Sequence, residues 1–116
     1  MKATIYHNPR CSKSRQTLAL LQENGVDVEI IEYLKTPPDE KQLAAILKKL
    51  GIKPVELLRK KENVFKELGL ATKLDDDHAL IKAMLANPVL IERPIVLANN
   101  KAAIGRPPEN VLDILL

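Results

Sequence analysis

Cysteine is nearly absent from this chain, which has 116 residues and a single thiol, Cys11. One cysteine closes no disulfide within the chain, so a disulfide-stapled secreted framework is excluded. Tryptophan is missing and aromatic residues amount to 3%. The stacking platforms of many nucleic-acid binders are therefore lacking, and Leu, Ile, Val and Ala must fill the core. No apolar run approaches the roughly 20 residues that span a bilayer. The opening Met1-Lys2-Ala3-Thr4-Ile5-Tyr6-His7 has no signal-peptide core. A cytoplasmic protein with no membrane partner and no nucleic-acid partner is expected. The two histidines, His7 and His78, are distant and show no paired ligand spacing with Cys11, which argues against a metal site. No Walker-type or dinucleotide glycine motif occurs, and no bound cofactor is expected. Lys plus Arg number 18 against 15 Asp plus Glu, a net +3 with no block of five like charges. That excess is too mild to indicate nucleic acid, though it leaves room for a local small-anion site.

Hydrophobic residues make up 46% and charged residues 28%, the balance of an ordinary globular protein. The length predicts one domain, residues 1–116. Ala3 to Tyr6 reads as a strand stopped by His7-Asn8-Pro9. Pro9 to Ser14 opens a helix with a Leu18, Leu20 and Leu21 stripe, closed by Gly25 after Asn24. Val28 to Tyr33 reads as a second strand, giving a βαβ unit. Thr36-Pro37-Pro38-Asp39 then starts a helix with Leu43, Ile46, Leu47 and Leu50 on one face, ended by Gly51. Short helices follow at Pro54–Leu58, Asn63–Leu68 and about His78–Ala86. The last is capped from Asp75-Asp76-Asp77 and turns Leu80, Ile81, Met84 and Leu85 inward. The helical insertion thus spans about 37–90, between the second and third strands. Pro94 to Ala98, Asn99-Asn100 and Lys101 to Ile104 read as a β-hairpin. Gly105-Arg106-Pro107-Pro108-Glu109 leads into a final helix with Val111, Leu112 and Leu115 buried.

Cys11 is the first candidate for chemistry. At a helix start its sulfur faces unpaired N–H groups and the positive end of the dipole, a setting that lowers a thiol pKa. His7, Arg10, Lys13 and Arg15 lie nearby in sequence, and Ser14, one turn on, could donate to the thiolate. A lone cysteine is also often buried and inert; the strand–turn–helix setting favours the reactive reading. His7 reads equally well as a donor or as a strand end. Pro94 after Arg93 ordinarily marks only the first residue of a strand, while an X–Pro bond can also be cis. Arg59, Arg93 and Arg106 sit at element boundaries, where arginines are usually solvated. With Cys11 they could form an oxyanion site, since guanidinium forks suit tetrahedral oxyanions; spacing alone does not bring them together.

His7-Asn8-Pro9-Arg10-Cys11-Ser12-Lys13-Ser14-Arg15, Leu57-Leu58-Arg59-Lys60, Glu92-Arg93-Pro94-Ile95-Val96 and Gly105-Arg106-Pro107-Pro108-Glu109, in that order, resemble the glutaredoxin-coupled arsenate reductase family over essentially the whole chain. The resemblance implies an α/β, thioredoxin-like fold: a four-stranded mixed sheet with a helical insertion. It implies that Cys11 is the nucleophile, and that Arg59, Arg93 and Arg106 bind the oxyanion and stabilise the thiolate. Pro94 would be the cis-proline beside the cysteine, and His7 and Ser14 would help lower the thiol pKa. The chain ends just after the expected last helix, as in the short chromosomal type. Spx-type transcription regulators, which bind RNA polymerase, share the fold. They typically carry Cys-x-x-Cys where this chain has Cys11-Ser12-Lys13-Ser14, and they lack the Gly105-Arg106-Pro107 pattern.

Electron counting adds an independent constraint. Reducing arsenate to arsenite takes two electrons, the yield of two thiols joining as a disulfide. With one thiol in the chain, the second must come from outside, and glutathione is the obvious reductant, with glutaredoxin resolving the product. The expected function is a glutathione- and glutaredoxin-dependent arsenate reductase. The alternatives are a glutathione-dependent thiol reductase with no arsenic role and an Spx-like polymerase-binding regulator.

Overall fold

The computed structural model describes residues 1–115; Leu116, the last residue of the expected domain, lies outside them. Backbone contacts divide the chain into two units, Met1–Thr36 with the segment from Arg93 onward, and Pro37–Glu92.

In the first unit, strands β1 (Lys2–His7), β2 (Asp27–Glu32), β3 (Ile95–Ala98) and β4 (Lys101–Ile104) form one sheet in the order β2-β1-β3-β4. Thr4, Ile5 and Tyr6 are the β-branched and aromatic types that suit a central strand. β1 runs parallel to β2, reached through helix α1 (Ser12–Glu23), and antiparallel to β3, so Ile5 lies opposite both Ile30 and Val96. β3 and β4 form the hairpin, and Asn99 and Asn100 both take positive φ (52° and 61°), as a tight two-residue hairpin turn requires. Asn99 Nδ2 also donates to Ile114 O at 2.9 Å, fixing the turn to the last helical segment. The core gathers Ala3, Ile5, Leu21, Val96, Val111 and Ile114.

Two sequence expectations change here. The buried face of α1 is Ser14, Thr17 and Leu21, while Leu18 and Leu20 are only half-buried. Two polar residues occupy a face that the leucines alone suggested. The last element is a 3-10 helix over Pro108–Ile114. Its three-residue turn stacks Pro108, Val111 and Ile114 on one face, in place of the Val111, Leu112 and Leu115 face of an α-helix; Leu112 and Leu115 are half-buried.

The second unit holds α2 (Glu40–Leu50), α3 (Pro54–Leu57), α4 (Asn63–Glu67) and α5 (Asp77–Ala86), with 3-10 turns at Leu70–Thr72 and Pro88–Leu90. α2 starts with a capping box: Asp39 Oδ1 accepts from Gln42 N at 2.7 Å and Gln42 Oε1 accepts from Asp39 N at 2.9 Å. It ends at Gly51, where φ of +68° favours a residue without Cβ. Asp76 caps α5 by accepting from Ala79 N. Leu80, Ala83 and Met84 are its buried residues; Ala83 replaces the expected Ile81 and Leu85, which stay half-buried. An antiparallel bridge joins Leu58 to Ile91.

The architecture is an α/β, thioredoxin-like fold: a four-stranded mixed sheet, with α2–α5 inserted in the chain between β2 and β3. Among the described residues no helix is long and apolar enough to cross a membrane.

Candidate active site

β1 delivers the chain to His7, and a tight turn then carries it into α1. Cys11 N donates to Asn8 O at 3.0 Å, and Arg10 N donates to Asn8 Oδ1 at 3.0 Å. Pro9 between them presets φ for such a turn. Arg15 reaches back to hold it from outside, with Nη1 donating to Pro9 O at 2.9 Å. Cys11 is the N-cap of α1, with extended backbone (φ −94°, ψ 123°) and no side-chain cap bond. Its carbonyl accepts the first helical bond, from Arg15 N. A thiol thus stands where Ser, Thr, Asp or Asn is usual, beside the orphan N–H groups of the first turn. Cys11 is 9% exposed.

His7 and Ser14 meet beneath this turn. His7 Nδ1 and Ser14 Oγ are 2.6 Å apart, and Ser14 Oγ also accepts from Asn8 N at 3.0 Å. Both residues are buried, at 6% and 0% exposed. Burial pushes the His7 pKa below its ordinary 6.5; the Glu32 carboxylate opposes this and Arg15 adds to it. The sequence suggests that Ser14 donates to the thiolate. In the structure its hydroxyl is instead engaged by His7 and by the Asn8 backbone, so it ties the end of β1 to α1.

The third side of the site comes from the return of the chain into β3 and its exit from β4. The Arg93–Pro94 bond is cis, and so is Arg106–Pro107. Arg106 Nε donates to Arg93 O at 2.7 Å, and Arg106 Nη2 donates to Cys11 Sγ at 3.5 Å. Nε and Nη1 of Arg93 are buried. Cys11, Arg106, Arg93 and the adjoining Pro94 thereby share one corner of the first unit. Arg59 lies in the second unit. Its N–H donates to Leu90 O at 2.8 Å, and its guanidinium pairs with Glu62 (3.1 Å) and Glu92 (3.9 Å).

Sequence reasoning misses three features of the site. Thr17 is fully buried behind the cysteine turn. Gly105 leaves no room for a side chain: a Cβ there would press on Thr17 and lie 2.8 Å from Pro94 Cγ. Asn110 Nδ2 supports the Arg106 carbonyl at 3.0 Å. The one available signal is the spacing of Thr17 from Ser14. Three residues apart on a helix, the two polar side chains share a face.

A sulfur with a guanidinium in contact, at an uncapped helix start, is suited to attack on an oxyanion that the same cations neutralise. Residues 6–114 match the model of the ArsC family. An uncharacterized protein of Escherichia coli K12, YfgD, is 59% identical over 96% of this chain and 94% of its own length. An arsenate reductase of Neisseria meningitidis serogroup A is 51% identical over 96% of each chain. The solved structure of an arsenate reductase from Vibrio cholerae superposes with a TM-score of 0.94, at 48% identity over 98% of each chain.

Proposed function

The chain belongs to the ArsC family, and on that premise we propose that it is a cytoplasmic arsenate reductase that uses Cys11 as nucleophile and glutathione and glutaredoxin as external thiol partners. The observation that carries the reading is the contact between Arg106 Nη2 and Cys11 Sγ at the start of α1. The named relatives supply the substrate; the single cysteine supplies the need for a second thiol.

The Cys11 thiolate attacks arsenic of a bound arsenate, forming an S–As bond and releasing hydroxide or, after protonation, water. Arg93 and Arg106 neutralise the oxyanion. Glutathione then supplies the second sulfur. The S–As bond breaks with its electron pair left on arsenic, arsenite departs, and Cys11 is left in a mixed disulfide with glutathione. Two thiols have lost one electron each and arsenic has gained two. Glutaredoxin removes the glutathionyl group by thiol–disulfide exchange and restores Cys11. His7 and Ser14 support the step by holding the turn that presents the sulfur.

Mass spectrometry of the protein quenched during turnover with arsenate and glutathione tests the order of steps. One glutathione on Cys11 is expected. An unmodified Cys11 throughout, or full activity in Cys11→Ser, contradicts the reading.

A further inference from the structure

We propose that Thr17 is a positioning residue for this site, and that it sets, through Gly105, the place from which Arg106 addresses Cys11. The proposal rests on the reading of Cys11 as the nucleophile.

Thr17 lies nearly two helical turns beyond Cys11 on α1 and is 0% exposed. Its Oγ1 donates to Lys13 O at 2.7 Å and stands 3.5 Å from Gly105 O. A hydroxyl has one proton, and the shorter bond takes it. A helix-internal bond of this kind is common for buried threonine and by itself means nothing more. The contact with Gly105 is what distinguishes this one. A Cβ on Gly105 would meet Thr17 Oγ1, Thr17 Cγ2 at 3.0 Å and Pro94 Cγ at 2.8 Å. The chain therefore passes between α1 and the Pro94 ring with no slack, and Gly105 N is tied to Pro94 O at 2.9 Å.

Arg106 follows directly. Its N–H donates to Ile104 O at 2.9 Å, its carbonyl accepts from Asn110 Nδ2, and its Nε donates to Arg93 O. With these points fixed, the guanidinium is delivered to Cys11 Sγ. The sulfur sits at the start of α1, and the stop for the Gly105–Arg106 backbone sits six residues along the same helix, about 9 Å at 1.5 Å per residue. One rigid element thus fixes both the nucleophile and the cation that faces it. Positioning of this kind matters because a misplacement of about 1 Å can cost on the order of a hundredfold in rate.

Alkylation of Cys11 tests this without arsenate, so its outcome does not depend on the substrate. Iodoacetate is anionic and gains from a guanidinium at the sulfur; iodoacetamide is neutral and gains little. The ratio of their rate constants reports the cation. Arg106→Ala is expected to lower the ratio most, and Thr17→Ala to lower it by roughly threefold to tenfold. Thr17→Val, which keeps the shape, is expected to hold the native ratio. An unchanged ratio in Thr17→Ala, even with a lowered melting temperature, overturns the proposal, as does a collapse of the ratio in folded Thr17→Val. Should Thr17→Ala not fold, Thr17→Ser, which lacks only Cγ2, is expected to show a ratio reduced by about twofold, and an unchanged one overturns the proposal. No effect in Arg106→Ala removes the Cys11–Arg106 reading itself, and the role of Thr17 with it.

Discussion

Arg106 and Cys11 are joined through a guanidinium held at two points: Nη2 stands 3.5 Å from Sγ while Nε is fixed 2.7 Å from Arg93 O. The cation cannot drift from the sulfur without losing the carbonyl. This two-point geometry uses the planar fork of arginine, and a lysine ammonium cannot reproduce it.

Arg106→Lys should therefore behave more like Arg106→Ala than like the native protein. Loss of a hydrogen bond to a charged group costs about 2 kcal/mol, or roughly thirtyfold in kcat/KM for arsenate. Steady-state kinetics of both variants check this; near-native activity in Arg106→Lys would show that charge alone suffices.

Gly105→Ala should destabilise the protein rather than merely slow it. The added methyl meets Thr17 and Pro94, neither of which has a flexible end to move aside. Overpacking of this kind costs about 2 kcal/mol, which corresponds to a fall in melting temperature of roughly 5–10 °C for a chain of this size. Thermal melting of the variant is the measurement, and a melting temperature within a degree or so of the native value is inconsistent with the tight passage described.

Ser14→Ala leaves the buried His7 Nδ1 and the half-buried Asn8 N–H without their shared oxygen. The expected loss is about 1–3 kcal/mol, read as a lower urea midpoint with an unchanged slope. An unaltered midpoint means that the hydroxyl is dispensable for holding the turn.

His7 gives a pH dependence with a definite sign. Burial lowers its pKa below 6.5, so the unfolded chain takes up a proton at a higher pH than the folded one. The stability gained by keeping the ring neutral is fully present above pH 6.5 and declines as pH falls through 6.5 toward the folded value. The stability difference between native protein and His7→Gln should thus be larger at about pH 7.5 than at about pH 5.5. Equal differences at the two pH values contradict a lowered His7 pKa.

Much of the fold was legible because local signals agreed with one another. Asp39, Gly51 and the Asn99-Asn100 pair each announce a boundary through their own backbone chemistry, and each boundary lies where they put it. Burial was less legible where periodicity was ambiguous. The C-terminal segment winds with three residues per turn, which moves the buried set to Pro108, Val111 and Ile114. On α1, apolar character pointed to Leu18 and Leu20, yet the inward face carries Ser14 and Thr17 because the cysteine turn and the Gly105 passage demand small polar groups there. The sequence names Cys11, Arg59, Arg93 and Arg106 as candidates, the three arginines through the family resemblance, but carries no geometry for them. Nothing local to Asn8 or Gly105 indicates that one shares Ser14 with His7 and the other abuts Thr17. The Gly105 contact joins residues far apart in the chain, and only the tertiary fold creates it.

We propose that Cys11 reduces arsenate with electrons drawn from glutathione. Arsenate-dependent NADPH oxidation, in a mixture of this protein with glutathione, glutaredoxin and glutathione reductase, measures it most directly. The native protein is expected to consume one NADPH for each arsenite formed, and Cys11→Ser is expected to consume none above background. NADPH oxidation that does not depend on arsenate, or that persists in Cys11→Ser, contradicts the claim.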